Sequence, residues 1–182
     1  ILNGHEVFGS TLGIIGMGAI GQQVAKRANG FDMPVLYHNR NRDLAAEAAL
    51  GATYVSLDEL LAQSDFVTLN VPMTDETRNM IGRVQLQQMK ETAYLINMAR
   101  GGVVDHDALV EALTEGWIAG AALDVTEPEP LPRDHPLLTL DNVIIAPHLG
   151  SATIQTRDGM AQRAIDNLLA GLRGEPLLSS VA

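Results

Sequence analysis

Three glycines constrain this chain more than any other feature. Gly16-Met17-Gly18-Ala19-Ile20-Gly21 follows directly on an apolar run, Thr11-Leu12-Gly13-Ile14-Ile15, and leads directly into a helical pattern from Ala19 to Asn29. In that order the first glycine permits a tight turn, the second lets backbone N–H groups approach a pyrophosphate, and the third lets helix and strand pack closely. The positive end of the helix then favours the phosphates. Set between a strand and a helix, the motif specifies a dinucleotide-binding unit.

The rest of the chain repeats the same alternation. Strands are predicted at 35–38, 53–55, 65–70, 93–97, 118–125 and 142–146, and helices at 43–50, 56–63, 84–89, 105–115 and 152–172. Gly51 and Gly116 end two of these helices, Gly171 and Gly174 close the last, and Ser56-Leu57-Asp58-Glu59 has the form of a capping box. Residues 126–141, with Pro128, Pro130, Pro132 and Pro136, are too rich in proline for regular structure and read as a functional loop. The economical architecture is α/β, a doubly wound sheet of roughly seven parallel strands whose carboxyl ends carry the ligands.

Composition excludes several function classes. Lys and Arg number 12 against 22 Asp and Glu, a formal net charge of -10, which argues against nucleic acid or an anionic membrane as partner. With no cysteine there is no disulfide, thiolate nucleophile or cysteine-ligated metal, and no metal site is expected. No apolar run approaches the roughly 20 residues of a membrane span and no export signal opens the chain, so a cytoplasmic protein is expected.

Where a chain specific for NAD carries an acid at the end of the second strand, this one reads His38-Asn39-Arg40-Asn41-Arg42. An acid there would repel a 2′-phosphate, whereas guanidinium groups clamp it. A preference for NADP(H) is therefore expected, with NAD(H) as the alternative. Arg40 and Arg42 could also be a solvated turn.

Three polar residues lie at or just beyond strand ends, where the reactive ring of such a cofactor would be: Arg100, Glu129 and His148. Arg holds a carboxylate bidentately and polarises the adjacent carbonyl. His moves a proton at neutral pH, and a carboxylate beside it orients the ring and favours its protonated form. Glu127 competes with Glu129 for that last role, and spacing does not choose between them. His5, His38, His106 and His135 read as structural or surface residues.

These motifs resemble the NAD(P)-binding domain of the D-2-hydroxyacid dehydrogenases, and within them the glyoxylate/hydroxypyruvate reductases. The likeness runs through Thr-Leu-Gly-Ile-Ile-Gly-Met-Gly-Ala-Ile-Gly from Thr11, Gln-Ser-Asp-Phe-Val from Gln63 and Ile-Asn-Met-Ala-Arg-Gly-Gly-Val-Val-Asp from Ile96. It continues through Leu-Asp-Val-Thr-Glu-Pro-Glu-Pro-Leu-Pro from Leu123, Ala-Pro-His-Leu-Gly-Ser-Ala-Thr from Ala146 and Asn-Leu-Leu-Ala-Gly-Leu-Arg-Gly-Glu-Pro from Asn167.

The resemblance implies a Rossmann-type fold over residues 1–151, with residues 152–182 returning toward a substrate domain built mainly from preceding sequence. It implies that Arg100 binds the substrate carboxylate and carbonyl, that Glu129 rather than Glu127 is the carboxylate partner, and that His148 is the proton donor. It places Gly16, Gly18, Ala19, Ile20 and Gly21 on the pyrophosphate, Asn39, Arg40, Asn41 and Arg42 at the adenosine end, and Val71, Pro72, Thr77, Met98, Ala99, Asp124 and Gly150 along the cofactor cleft. Ala19 stands where many members carry Arg, and Asn39 where most carry an acid.

The implied partner is a small 2-oxo or 2-hydroxy acid, and the implied assembly is a homodimer through this domain. The alternatives are another D-2-hydroxyacid dehydrogenase, acting on phosphoglycerate or general 2-oxo acids, and a noncatalytic NAD(P)-sensing module of the corepressor kind. The 182 residues by themselves are expected to bind cofactor and to turn over poorly.

Overall fold

A computed structural model describes residues 4–180 of the chain. The molecule divides after Pro147 into two compact units.

The first unit is one sheet with helices on both faces. Its strands are β1 (Leu12–Ile15), β2 (Val35–His38), β3 (Thr53–Tyr54), β4 (Phe66–Leu69), β5 (Tyr94–Asn97), β6 (Gly120–Leu123) and β7 (Val143–Ile145). All neighbours pair in parallel, in the order β3-β2-β1-β4-β5-β6-β7. The order reverses between β1 and β4, and that switch point opens a crevice beyond the strands' carboxyl ends. The sequence expectation of a doubly wound parallel sheet is met.

The helices are α1 (Ala19–Ala28), α2 (Leu44–Leu50), α3 (Leu57–Gln63), α4 (Arg83–Gln88) and α5 (His106–Thr114). Leu12 and Ile14 pack with Ala25, Ala28, Val35 and Tyr37 under α1 and α2, while Ile15 packs with Leu60, Leu69, Leu95 and Leu109 under the other three. All four residues of β1 are buried, as a central parallel strand covered on both faces requires. Ser56 and Glu59 make the expected capping box, and Asp43 caps α2 by accepting from the Ala46 N–H.

The second unit is α6 (Ile154–Arg173) with its flanking turns. Thr153 caps its start by accepting from the Thr156 N–H at 3.1 Å. Its end differs from the sequence expectation: Gly171 is helical, and only Gly174, at φ +70°, terminates the helix. Spacing could not separate the two glycines, because the left-handed residue is fixed by the return of the chain rather than by composition. The proline-rich segment likewise carries one regular piece, a single 3-10 turn at Pro136–Thr139 with Pro at its start and the His135 side chain as cap. Among the described residues no helix is long and apolar enough to cross a membrane.

Candidate functional site

The glycine turn is built by close approach. Gly16 sits at φ +101°, and a Cβ there would lie 2.7 Å from the Asn70 carbonyl carbon of the adjoining loop. A Cβ on Gly21 would collide with the Gly16 carbonyl oxygen. Gly18 differs from both: a Cβ on it would meet nothing within 4 Å, because it faces open space. It caps α1 by backbone alone, with no acidic residue in the first turn, so the helix presents bare N–H groups and partial positive charge.

That space is a cleft of about 620 Å³ running from the glycine turn past His38, Asn39, Arg40 and Asn41 to Val71, Pro72 and Thr77. A second section of about 510 Å³ continues it past Ala19 and Ile20 to Met98, Ala99 and Arg100, with Gly18, Asn70, Val71 and Pro72 common to both. Thr77 shapes the wall: its hydroxyl donates to the Pro72 carbonyl at 2.7 Å and accepts from the Thr74 N–H at 2.8 Å. Asn70 Oδ1 is buried without a partner beside the glycine turn. A two-section cleft with an uncapped helix end at its middle fits a dinucleotide, its pyrophosphate over Gly18. No group of three or more metal-binding side chains occurs among the described residues.

The end of β2 divides its polar residues. Asn39 turns inward, its Oδ1 accepting from the Met17 N–H at 2.7 Å, so a neutral amide braces the glycine turn. Arg40 lines the cleft. Arg42 instead makes a bidentate pair with Glu47, Nε to Oε1 at 2.7 Å and Nη2 to Oε2 at 2.8 Å, with its guanidinium 5.9 Å from the Tyr54 ring centre. Glu47 also accepts from the Tyr37 hydroxyl at 2.8 Å. Arg42 and then Tyr37 hold its carboxyl down to about 2.

Beyond β5 the chain turns sharply to Arg100. Asn97 is fully buried, and its amide accepts from the Ala99 N–H and donates to the Arg100 carbonyl, both at 3.0 Å. The Arg100 side chain is exposed, with Nη1 donating to the Ala99 carbonyl at 2.7 Å. The next residue, Gly101, has no room for a Cβ because the Thr126 carbonyl lies against it. The turn after β5 is thereby packed on the loop after β6, where the Thr126 N–H donates to Glu129 Oε2 at 3.3 Å. Arg100 and Glu129 thus stand on two loops in direct contact.

Glu127 points elsewhere: its carboxylate lies over Gly102 beside the Arg78 guanidinium, in a small polar cavity shared with His106 and His135. Its carbonyl pairs with Nδ1 of the buried His106 at 3.1 Å. Burial pushes the His106 pKa down, and its Nε2 has no partner. Asp124 is buried at the end of β6, its N–H donating to the Asn97 carbonyl at 3.0 Å. In the second unit, His148 is exposed at φ +55°, and Gly150 lies in a turn closed by the Ala152 N–H donating to the Leu149 carbonyl at 2.9 Å.

Residues 1–150 match the family described as D-isomer specific 2-hydroxyacid dehydrogenase, NAD binding domain. The chain belongs to that family. A glyoxylate reductase of Korarchaeum cryptofilum (strain OPF8) is 56% identical over 172 residues, covering 94% of this chain and 52% of that protein. The crystal structure of the TT0316 protein from Thermus thermophilus aligns with a TM-score of 0.92 and 49% identity, over 99% of this chain and 56% of that one. That of a glyoxylate reductase from Paecilomyes thermophila gives 0.90 and 44%, over 98% and 54%. The chain spans about half the length of the curated relatives it matches.

Three residues of this dehydrogenase domain escaped the sequence reading. Asn97 ends β5, Asn70 directly follows β4 and Gly101 follows the Arg100 turn, and only the first two carry a signal, an amide at the end of a largely apolar run. Gly101 looks like one of a flexible pair with Gly102. Its need for glycine comes from a loop distant in sequence.

Proposed function

We propose that this chain is the cofactor-binding part of a cytoplasmic reductase of small 2-oxo acids, glyoxylate or hydroxypyruvate, that prefers NADP(H) over NAD(H) and acts as a homodimer. The observation that carries the reading is the continuous cleft from Arg40 to Arg100 across the bare N-terminus of α1. Its glycine turn and helix end would hold the pyrophosphate, Arg40 the 2′-phosphate, and Val71, Pro72, Met98 and Ala99 the walls of the ring. The bound nicotinamide supplies the reducing equivalent.

Arg100 would fork onto the substrate carboxylate and polarise the neighbouring carbonyl. His148 would give its proton to the carbonyl oxygen, and Glu129 would orient the imidazole and favour its charged form. Asp124, buried at the end of β6 beside Asn97, would accept from the nicotinamide carboxamide. The neutral Asn39, turned onto the glycine backbone, puts no carboxylate at the end of β2, although Glu76 lines the same section of the cleft as Arg40.

Two measurements test this. Fluorescence titration of the chain with NADPH and NADH should give the tighter binding to NADPH; equal or tighter NADH binding overturns the cofactor preference. Steady-state reduction of glyoxylate and hydroxypyruvate by the whole protein should be lost in His148→Ala with NADPH affinity unchanged. Retained turnover removes His148 from the chemistry.

A further inference from the structure

Arg42 follows directly on three residues that line the cleft, Asn39, Arg40 and Asn41, and yet its guanidinium is occupied by a carboxylate of its own chain. Its side-on fork, Nε with Nη2, is directed at Glu47. The carboxylate is held in place from beneath. Tyr37, with no exposed surface, donates to Glu47 Oε1 at 2.8 Å and accepts from the Asp43 N–H at 2.8 Å, and Asp43 caps the helix on which Glu47 stands. Glu47 is thus held by Tyr37 and by the capped helix that carries it, while the Arg42 side chain is 57% exposed and, among the described residues, is tethered by the pair and a loose contact with the Tyr54 ring.

We infer that Glu47 sets how strongly this site discriminates for a 2′-phosphate, by competing with that phosphate for Arg42. The inference rests on the NADP(H) reading above and adds a residue outside the cleft to it. The arginine end of the pair is open to solvent, which lets the guanidinium exchange partners. A phosphate monoester, doubly charged and matched to the guanidinium fork, is the stronger partner for Arg42. Arg40, which shares the cleft wall with Glu76, meets the 2′-phosphate first, and Arg42 adds its Nε–Nη2 fork when released from Glu47. The carboxylate therefore holds NADP(H) affinity below what two arginines would give and leaves NAD(H) affinity alone, since a 2′-hydroxyl has no charge for Arg42 to seek.

The test is a titration of the chain with NADPH and NADH, for the unaltered chain and for Glu47→Gln, Arg42→Ala and the double variant. Gln keeps an acceptor for Tyr37, and Glu47→Ala serves as a second variant should Gln disturb α2, with thermal melting confirming both are folded. Glu47→Gln should bind NADPH about fivefold more tightly, about 1 kcal/mol, and NADH within about twofold of the unaltered chain. In the Arg42→Ala background the same substitution should change neither. Unchanged or weaker NADPH binding by both Glu47 variants overturns the inference, as does a gain that survives loss of Arg42. The unaltered chain's own NADPH to NADH ratio reports separately on the cofactor preference, so the two ideas fail independently.

Discussion

The Asn97 side chain closes the turn that presents Arg100, accepting from the Ala99 N–H and donating to the Arg100 carbonyl. Both bonds run through a side chain that has no exposed surface, so nothing from solvent replaces them. Asn97→Ala should cost about 2 to 4 kcal/mol, read as a lower urea midpoint at unchanged slope. In the whole protein KM for a 2-oxo acid should rise, because the substitution loosens the base of the arginine rather than its charge. A stable variant with unaltered KM would show that Arg100 is aimed by something else.

His106 makes stability depend on pH. Burial lowers its pKa below the ordinary value near 6.5, so between the two the unfolded chain binds the proton and the folded one does not. Its contribution is therefore complete above about pH 6.5 and is lost as pH falls through the folded value. Asp105, Glu127 and His135 surround the ring, and the first two favour the proton without reversing the direction. His106→Asn keeps a donor for the Glu127 carbonyl and removes the titration. It should flatten the fall in urea midpoint between about pH 7.5 and 5.5. An equal fall in the variant assigns the pH dependence to other groups.

How far the sequence could be read follows from what each feature depends on. The glycine turn was legible because its requirements are local: strand, tight turn and helix lie within eleven residues of sequence, from Thr11 to Gly21. The strands were legible because buried parallel strands leave unbroken apolar runs, whereas their order in the sheet came only with the fold. Arg100 and Glu129 were recognisable as strand-end residues, but the contact that joins their loops, Gly101 against Thr126, is invisible until the sheet places β5 beside β6. Arg42 shows the same limit at closer range. Its partner Glu47 is five residues away across a helix cap, a spacing that no helical repeat flags, and only the fold of that cap brings the two together.

Glu127 and Glu129 should separate cleanly in the whole protein. Glu127 faces Gly102 and Arg78 in a cavity of its own, whereas Glu129 bonds the Thr126 backbone on the loop packed against the Arg100 turn. Glu129→Gln should lower kcat and kcat/KM by roughly a hundredfold, since it removes the carboxylate that would orient the imidazole. Glu127→Gln should leave both within about twofold and change stability instead. The reverse pattern would move the catalytic carboxylate to Glu127.

The three motif glycines should fail in different ways, and the difference tests whether the cleft is a cofactor cradle. Gly21 abuts the Gly16 carbonyl and Gly16 abuts Asn70, all backbone that cannot step aside, so Gly21→Ala should destabilise by about 3 kcal/mol or more, seen as a lowered melting temperature. Gly18 has nothing within 4 Å of where its Cβ would be. Gly18→Ala should therefore melt within about 1 kcal/mol of the unaltered chain, the difference expected for alanine at a helix N-cap. If the open space belongs to a pyrophosphate, that methyl group occupies it, and affinity for NADPH and NADH should fall together by about tenfold or more. A folded Gly18→Ala chain that still binds both nucleotides normally would mean the phosphates lie somewhere other than over the N-terminus of α1.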